Sequence, residues 1–442
     1  MNKNIKLAVA GAVLAMSASA ANAGIVIPAG DWTLDVNGNV NGYVNFTKGN
    51  DSNTVTGGLA AKKQTTGNNT VKGINTGLLP AWLGFTGKTR QNDLDVEFTI
   101  SLQPGVSAND ISGDGAFVDG TTASNGSKTL NRQTYLSFGD KSWGSVKIGK
   151  DLGIFASDAI LNDMTLLGVG SGAGLSGSSA NTTNGGIGSG YLYAAWKGQV
   201  AYTTPNMSGF QATVGITNPN MGGLTTSQSR FGIEGKASYS FAANDATGKI
   251  WVSGLSNRVK TDAVDAVSAA YGCSSSTGIN TFTTAGNCTT AQTVLVRAAV
   301  AEVDSYTYNA NVFDIGATVN YAGFGLTGYY YDGQGVGTTL VGANAISANG
   351  QKRDSDGGYV QLTYVLPVKT KLGVAWGQSN LDKAGDDTDT LVKTNERWTV
   401  GAYHPLTKHL NLVAEYNHIT SENHAGAENK SYTGSLGAIL FF

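Results

Sequence analysis

Strict alternation of apolar and polar residues is the feature that most restricts the fold of this chain. Between positions 32 and 46 the even residues are apolar or glycine, and the odd residues are mostly polar. Between positions 93 and 103 every even residue is large and apolar, and every odd residue is polar or acidic. Because successive side chains of a strand point to opposite faces, this pattern predicts β-strands with one apolar and one polar face.

Connections between such segments alternate in length. Further alternating segments lie at 209–216, 230–241, 358–367, 371–377, 397–403 and 409–417. Short connections lie at 87–93, 139–144, 204–209, 242–248, 322–325, 367–371 and 404–409, and long polar ones near 49–78, 104–128, 151–190, 218–228, 259–303, 333–356, 380–394 and 420–430. These connections predict about sixteen strands, and an even number with short turns on one side is typical of bacterial outer-membrane barrels.

The N-terminus predicts export from the cytosol. Lys3 and Lys6 precede a short apolar run, which ends in small residues at 21–23. This arrangement is typical of a signal peptide removed after Ala23. The apolar run is too short for a spanning helix, and no later stretch approaches the required length. We expect residues 1–23 to be a signal peptide and residues 24–442 to form a single transmembrane domain.

A membrane-spanning barrel explains why the two faces differ. In the bilayer core every backbone N–H and C=O must find a partner within the protein, and among sheets only closed barrels achieve this. The apolar stripe of each strand then faces lipid and the polar stripe faces the lumen. The expected fold is therefore an all-β transmembrane antiparallel barrel. A soluble β-sandwich is the less favoured alternative.

The polar stripe includes acids that indicate a water-filled lumen. Asp35 lies on the polar face of the first strand, and Asp93, Asp95 and Glu97 lie on that of the third. Each would cost kilocalories in a dry core unless it were fully paired. A barrel of about sixteen strands is wide enough to hold water. We expect these four acids on the lumen wall.

Composition limits the remaining classes. The formal net charge is −2 and no basic patch occurs, which argues against a nucleic-acid partner. Cys273 and Cys288 lie in a Ser/Thr/Gly-rich stretch of an exported chain, which favours a local disulfide. Such a disulfide should stabilise the fold by roughly 3 kcal/mol. No standard metal-ligand spacing occurs among the histidines, and we expect neither metal nor cofactor.

The chain ends in an alternating strand, "SYTGSLGAILFF". Its apolar stripe consists of Tyr432, Leu436, Ala438, Leu440 and Phe442. We expect this strand to close the barrel against the first one and thus to remain ordered to its last residue. The aromatic end should lie in the interfacial girdle.

Several segments resemble the general bacterial porins, most closely those of β-proteobacteria. "NRQTYLSFGDKSWGSVKIGKDLGIF" (131–155) is similar to the strand–turn–strand before the third loop of those proteins, and "SDAILNDMTLLGVGSG" (157–172) resembles the loop itself. "AWLGFTGKT" (81–89) resembles the second strand, and the terminal Phe fits as well. The resemblance implies a trimer of sixteen-stranded barrels, each narrowed by a third loop folded inside it.

The resemblance also implies which residues form the constriction. Arg132 matches a wall arginine and Asp163 matches an acid of the third loop. The chain departs from the enterobacterial pattern at Trp82, where that pattern has an arginine, and at Leu167, where it has a second acid. Asp158 is an additional acid nearby.

We hypothesise a transverse electric field across the pore. It would run from Arg132, with Lys88 and Lys147, to Asp158 and Asp163, and Trp82 would face the lumen beside it. Fixed charges at a narrow point select ions and orient polar solutes. In the alternative, the same charges form structural pairs that hold the loop to the wall. For Arg132 and Asp163 we favour the pore role, and both interpretations can hold at once. For Lys147 the two interpretations have equal support.

Three classes of function fit these expectations. The first is a passive diffusion channel for ions and small hydrophilic solutes, with a solute-specific channel as its variant. The second is a barrel enzyme, which the length and strand number disfavour. The third is a structural or adhesive surface barrel with a filled interior. The resemblance further implies outer-membrane lipids and lipopolysaccharide as partners, together with an assembly machinery that reads Phe442 as a signal.

Overall fold

The computed structural model describes residues 24–63, 70–106, 130–171, 182–219, 226–227, 230–261, 270–275, 278–283, 292–297 and 305–442, with the backbone alone at 226–227, 270–275, 278–283 and 292–297. The expected signal peptide and Cys288 lie outside these ranges. Cys273 lies in a strand of which only the backbone is described. The signal peptide and the disulfide therefore stay predictions.

The regular secondary structure of the described chain is almost entirely β-strand. The strands are β1 (Ile25–Ala29), β2 (Trp32–Gly49), β3 (Thr70–Asn75), β4 (Trp82–Gln91), β5 (Leu94–Gln103), β6 (Leu130–Asp140), β7 (Gly144–Leu152), β8 (Trp196–Thr203), β9 (Phe210–Thr217), β10 (Thr226–Ser227), β11 (Gly232–Ala243), β12 (Ala246–Thr261), β13 (Ala270–Ser275), β14 (Gly278–Thr283), β15 (Gln292–Arg297), β16 (Thr307–Tyr321), β17 (Phe324–Gln334), β18 (Asp354–Val365), β19 (Lys371–Leu381), β20 (Val392–Pro405), β21 (Leu410–Asn423) and β22 (Glu428–Phe441). Within the described ranges, no helix is long and apolar enough to cross a membrane.

Sixteen of these strands close into one antiparallel barrel, which confirms the predicted fold class. Neighbouring strands pair in chain order from β4 to β9, then through β11, β12 and β16, and from there to β22. β2 completes the ring, because its first half pairs with β4 and its second half with β22. Closure leaves no barrel strand without a partner on either edge.

The two ends of the described chain meet at the closure. β1 and β22 pair with the same edge of β2, and Ile25 lies opposite Val36 while Phe441 lies opposite Asn39. Phe442 exchanges two backbone hydrogen bonds with Gly38, of 2.8 and 3.0 Å. The last residue is therefore held by the first barrel strand.

The outer face carries the apolar stripe and an aromatic belt. Leu436 and Leu440 are exposed on the outside of β22. On four neighbouring strands, residues of one register row are Trp376, Trp398, His418 and Tyr432. The His418 and Tyr432 rings stack with their centroids 4.6 Å apart. Aromatic rows at one height of a barrel mark the interface between hydrocarbon and headgroups.

Two expectations about where strands begin and end are wrong. The segment near 420–430 is no long loop, because β21 runs to Asn423 and β22 begins at Glu428. The Asn423 side chain accepts hydrogen bonds from the backbone of Ala425 and Ala427 and closes this tight turn.

Asp93 lies in the turn between β4 and β5 instead of on a strand. Asn92 and Asp93 have φ of 48° and 62°. Two consecutive residues with positive φ form the turn that matches the twist of a two-residue hairpin, and Asn and Asp tolerate this conformation. The Asp93 side chain is consequently fully exposed at the short-turn end of the barrel.

The connection at 153–195, here called the third loop, folds into the barrel as expected. Its Phe155 and Tyr191 are buried in one apolar cluster with Trp251 of β12 and Tyr359 of β18, whose side chains point inward. The Tyr191 and Tyr359 rings contact each other edge to face at 5.7 Å. The loop therefore packs against the inner wall and fills part of the lumen.

Candidate pore constriction

The third loop carries the two expected acids on short helical turns. The helix α1 spans Ser157–Asn162, and a 3-10 turn follows at Met164–Leu167. Asp158 lies in the first turn of α1. Asp163 lies between the two turns, and its Oδ1 accepts hydrogen bonds from the backbone N and the Oγ1 of Thr165, at 2.9 and 2.8 Å. Asp163 thus caps the 3-10 turn.

Asp158 is buried against two lysines of the barrel wall. Its carboxylate forms ion pairs with Lys236 of β11, at 2.9 Å, and with Lys249 of β12. Burial acts to raise the pKa of Asp158, but the two lysines outweigh it and hold that pKa below its ordinary value. Asp158 therefore stays ionised and fastens the beginning of the loop to the wall.

Asp163 is buried against a third wall cation, Arg397 of β20. Arg397 Nη2 lies 3.6 Å from Asp163 Oδ2. The same oxygen accepts hydrogen bonds from the Tyr191 hydroxyl at 2.8 Å and from the Gly186 backbone N at 2.9 Å. Gly186 has to be glycine here, because a Cβ would lie 2.6 Å from Arg397 Nη2 and 2.7 Å from Asp163 Oδ2.

One carboxylate of the wall, Glu234 of β11, accepts backbone hydrogen bonds from the start of the loop. Its Oε2 accepts from the N of Ile154 at 2.8 Å and of Phe155 at 2.9 Å. Its Oε1 accepts from Lys197 Nζ at 2.7 Å. Glu234 thereby satisfies loop N–H groups that would otherwise be buried without partners.

Glu415 of β21 performs the same role further along the loop. Its Oε2 accepts hydrogen bonds from the backbone N of Val169 at 2.9 Å and of Gly170 at 2.8 Å, and its Oε1 accepts from the Tyr403 hydroxyl at 2.7 Å. Sequence analysis missed five charged wall residues that bind the loop acids and N–H groups. Each is a charged residue at a lumen-facing position of an alternating strand, and this signal could have identified them: Glu234, Lys236, Lys249, Arg397 and Glu415.

Neutral side chains complete the attachment. The Tyr43 hydroxyl of β2 donates to the carbonyl of Leu167 at 2.6 Å, and the Tyr359 hydroxyl of β18 donates to that of Ala159 at 2.8 Å. The described parts of the loop are thus attached to an arc of wall that runs from β11 through β21 to β2. The opposite arc, β4 to β7, receives no hydrogen bond or ion pair from the described part of the loop and is here called the open arc.

This open arc carries paired charges. Lys88 Nζ lies 3.4 Å from Glu97 Oε2, and the Tyr135 hydroxyl donates to Glu97 at 3.2 Å. Lys147 lies 4.5 Å above the Tyr135 ring and forms an ion pair with Asp151. The structure therefore brings Lys88 and Lys147 to the lumen wall, each beside an acid of that wall.

Arg132 lies near the long-loop end of the same arc, among aromatic rings. Its guanidinium carbon is 6.0 Å from the centroid of the Trp196 indole, which is itself 6.0 Å from that of Trp82. Trp82 faces the lumen, since it pairs with the inward-facing Asn39. Among the described residues Arg132 forms no ion pair, and the cation beside Asp163 is Arg397.

The contacts of the loop acids favour structural pairing over the proposed field. Asp158 and Asp163 are neutralised by wall cations on the attached arc, whereas Arg132, Trp82, Lys88 and Lys147 lie on the open arc. Asp35, Asp95 and Glu97 occupy lumen-facing register positions. Within the described residues, no group of three His, Cys, Asp or Glu side chains is placed to hold a metal ion.

Comparison with known proteins decides the family. The family model described as Gram-negative porin matches residues 8–424. The chain is a Gram-negative porin. This porin belongs to the outer membrane, and its family and fold are those of channels, which are not enzymes.

Several solved structures share this fold. The porin is similar to DcaP of Acinetobacter baumannii, with 16% identity over 95% of this chain and 100% of that chain and a TM-score of 0.59. It is also similar to OmpF of Salmonella typhi in complex with daunomycin, with 12% identity over 95% and 100% of the two chains and a TM-score of 0.55. The trimer form of Vibrio cholerae OmpT shares 14% identity over 93% and 99%, with a TM-score of 0.52. Such identities show the fold alone, and no curated protein matches the sequence.

Proposed function

We propose that this porin forms a water-filled channel for the passive diffusion of ions and small hydrophilic solutes. The carrying observation is the exposure of charged side chains inside the barrel. The side chains of Lys88, Lys147 and Glu97 face the lumen and stay 58%, 34% and 30% exposed. In a filled barrel, charges would be shielded from water at a cost of several kilocalories each. Their exposure therefore supports a wet lumen along the open arc.

The channel should have a weak preference for anions. Asp158 and Asp163 are neutralised by their ion pairs, and Lys88 and Lys147 each have an acid beside them. Arg132 is the charge of the open arc that has no acid partner among the described residues. An unpaired cation on a narrow aqueous path lowers the energy of a passing anion.

The porin is proposed to act as a homotrimer among outer-membrane lipids and lipopolysaccharide. Support comes from the exposed apolar stripe and from the trimer form of the similar OmpT. Phe442 at the barrel closure is proposed as the signal that the assembly machinery reads. Native mass spectrometry in detergent tests the oligomer, and a monomer alone would contradict the proposal.

Channel function is tested with purified, unboiled protein. In planar bilayers we expect stepwise ohmic conductance in KCl, and in liposomes we expect swelling with small sugars that declines as the sugar becomes larger. Heat-denatured protein at the same concentration is the control. A structural or adhesive barrel, or a filled enzyme barrel, would admit neither ions nor the smallest sugar, and that result would refute the proposal.

A further inference from the structure

We propose that Arg132, Trp82 and Trp196 form a subsite that binds solutes in which a flat aromatic ring carries a carboxylate. The inference rests on the proposed channel function and specifies a class of solute for it. The three residues lie at the long-loop ends of β6, β4 and β8, where solutes from outside the cell would arrive first. The described third loop forms no hydrogen bond with the Arg132 guanidinium or the Trp82 indole. Tyr193 of the loop lies beside the Trp196 indole and close to Arg132.

The electrostatic part of the subsite is the free guanidinium of Arg132. Arg397 is paired with Asp163, Arg353 with Asp387, and Arg90 with Asp95 and Asp140. Arg132 is only 7% exposed, yet among the described residues its guanidinium has no carboxylate partner. A largely desolvated guanidinium without an acid binds carboxylates strongly, because its planar fork can donate two parallel hydrogen bonds.

The apolar part consists of the two indoles. The Trp82 and Trp196 centroids are 6.0 Å apart and their planes are inclined at 56°. Both residues are half-buried, so part of each ring is exposed. Their contact keeps the Trp196 indole on the lumen side, where Trp82 points, and Arg132 lies 6.0 Å from it. A third ring can pack against this pair in a tilted geometry, which aromatic groups prefer.

Together these contacts match a bifunctional solute. Its carboxylate would meet Arg132 while its ring covers the exposed part of the indoles, so that each half holds the other in place. Sugars also stack on indoles, but they need neutral hydrogen-bonding partners and make no use of an unpaired cation. Neutral aromatics lack the charge. We therefore expect phenylacetate to bind better than acetate, benzyl alcohol or glucose.

The test is single-channel recording in KCl with phenylacetate added on the outer side of the barrel. We expect concentration-dependent blocking events with phenylacetate and none with acetate, benzyl alcohol or glucose at equal concentration. Arg132→Gln and Trp196→Leu should each raise the half-blocking concentration about tenfold, which corresponds to about 1.4 kcal/mol. Lys88→Gln is the matched control, because it removes another lumen cation near the short-turn end and should leave block unchanged.

The outcomes separate this proposal from the channel function. A conducting channel in which phenylacetate and acetate act alike refutes the subsite and leaves the channel intact. Block by glucose that survives Arg132→Gln would show a sugar site and also refute it. Equal loss of block in Lys88→Gln and Arg132→Gln would show a diffuse effect of charge and overturn it as well. Absence of any conductance refutes the channel itself.

Discussion

Arg397 and Asp163 form an ion pair inside the barrel in which both side chains are 1% exposed. The pair joins the inner wall to the middle of the third loop. It lies at the point where three further groups, Gly186, Thr165 and Tyr191, donate to the same carboxylate. The position of the loop in the lumen, and hence the width of the channel, depends on this cluster.

We predict that Asp163→Asn destabilises the barrel by about 3–5 kcal/mol, because it leaves the charge of Arg397 buried without a partner. Thermal unfolding followed by the β-sheet circular dichroism signal in detergent measures the change. Removing both charges in Asp163→Asn with Arg397→Met should recover most of the loss. The exposed pair Lys88–Glu97 serves as control, since Lys88→Gln should change stability by less than about 1 kcal/mol. An equal loss of stability in Asp163→Asn and in Lys88→Gln would contradict the structural role of Asp163.

Glu415→Leu should loosen the third loop without unfolding the barrel. Both N–H groups of Val169 and Gly170 donate to the same oxygen of Glu415, and leucine offers them no acceptor. A buried N–H group left without an acceptor costs about 1–3 kcal/mol. We expect a larger and noisier single-channel current at an unchanged content of β-sheet. A current indistinguishable from that of the parent would show that Glu415 does not hold the loop.

Acid should release the beginning of the loop in a defined pH range. The lowered pKa of Asp158 means that its ion pairs contribute stability that is present above the ordinary carboxyl pKa of about 3.9 and is lost as the pH falls through the lower folded value. The thermal midpoint should therefore stay flat from neutral pH to about pH 5 and decline below about pH 4.

Asp158→Asn identifies the contribution of this group. The variant should have a lower midpoint at neutral pH and a shallower decline in acid. Asp387→Asn is the matched control in an outer loop, because the Arg353 hydrogen bond lowers the pKa of Asp387 too. If the thermal midpoint of Asp158→Asn falls with pH as steeply as that of the parent, the acid sensitivity belongs to other groups.

The last residue can be separated into its backbone and its ring. Deleting Phe442 removes the two backbone hydrogen bonds to Gly38 together with the ring, whereas Phe442→Ala removes the ring alone. If the ring is the assembly signal, both variants should lower the amount of folded protein in the outer membrane. A defect confined to the deletion would assign the effect to closure, and normal amounts in both would contradict a role in assembly.

Charge selectivity should follow Arg132. Its neutral variant Arg132→Gln is expected to shift the reversal potential in a KCl gradient toward greater preference for cations, because it removes the unpaired cation of the open arc. Lys147→Gln should shift it less, since Asp151 already balances Lys147. An identical reversal potential in the parent and in Arg132→Gln would exclude Arg132 from the conducting path.

The alternation of side chains fixed the main features of the fold. It identified the barrel, most of the strand positions and which face of each strand meets water, because a period of two leaves only one assignment of faces once one face must meet lipid. It did not determine where strands end. The predictions of a strand position for Asp93 and of a long loop near 420–430 were wrong for this reason. The position of a turn depends on the backbone conformation of one or two residues.

The site was the part that needed the tertiary structure. Sequence and resemblance identified Arg132, Asp158 and Asp163 as charged residues of wall and loop, but not their partners. Ion pairs join residues up to hundreds of positions apart, such as Asp163 and Arg397, and the choice among many inward-facing cations depends on how the loop lies in the lumen. Only the folded barrel shows that the loop acids pair with cations of the attached arc. It also shows that Arg132 lies on the open arc, beside Trp196.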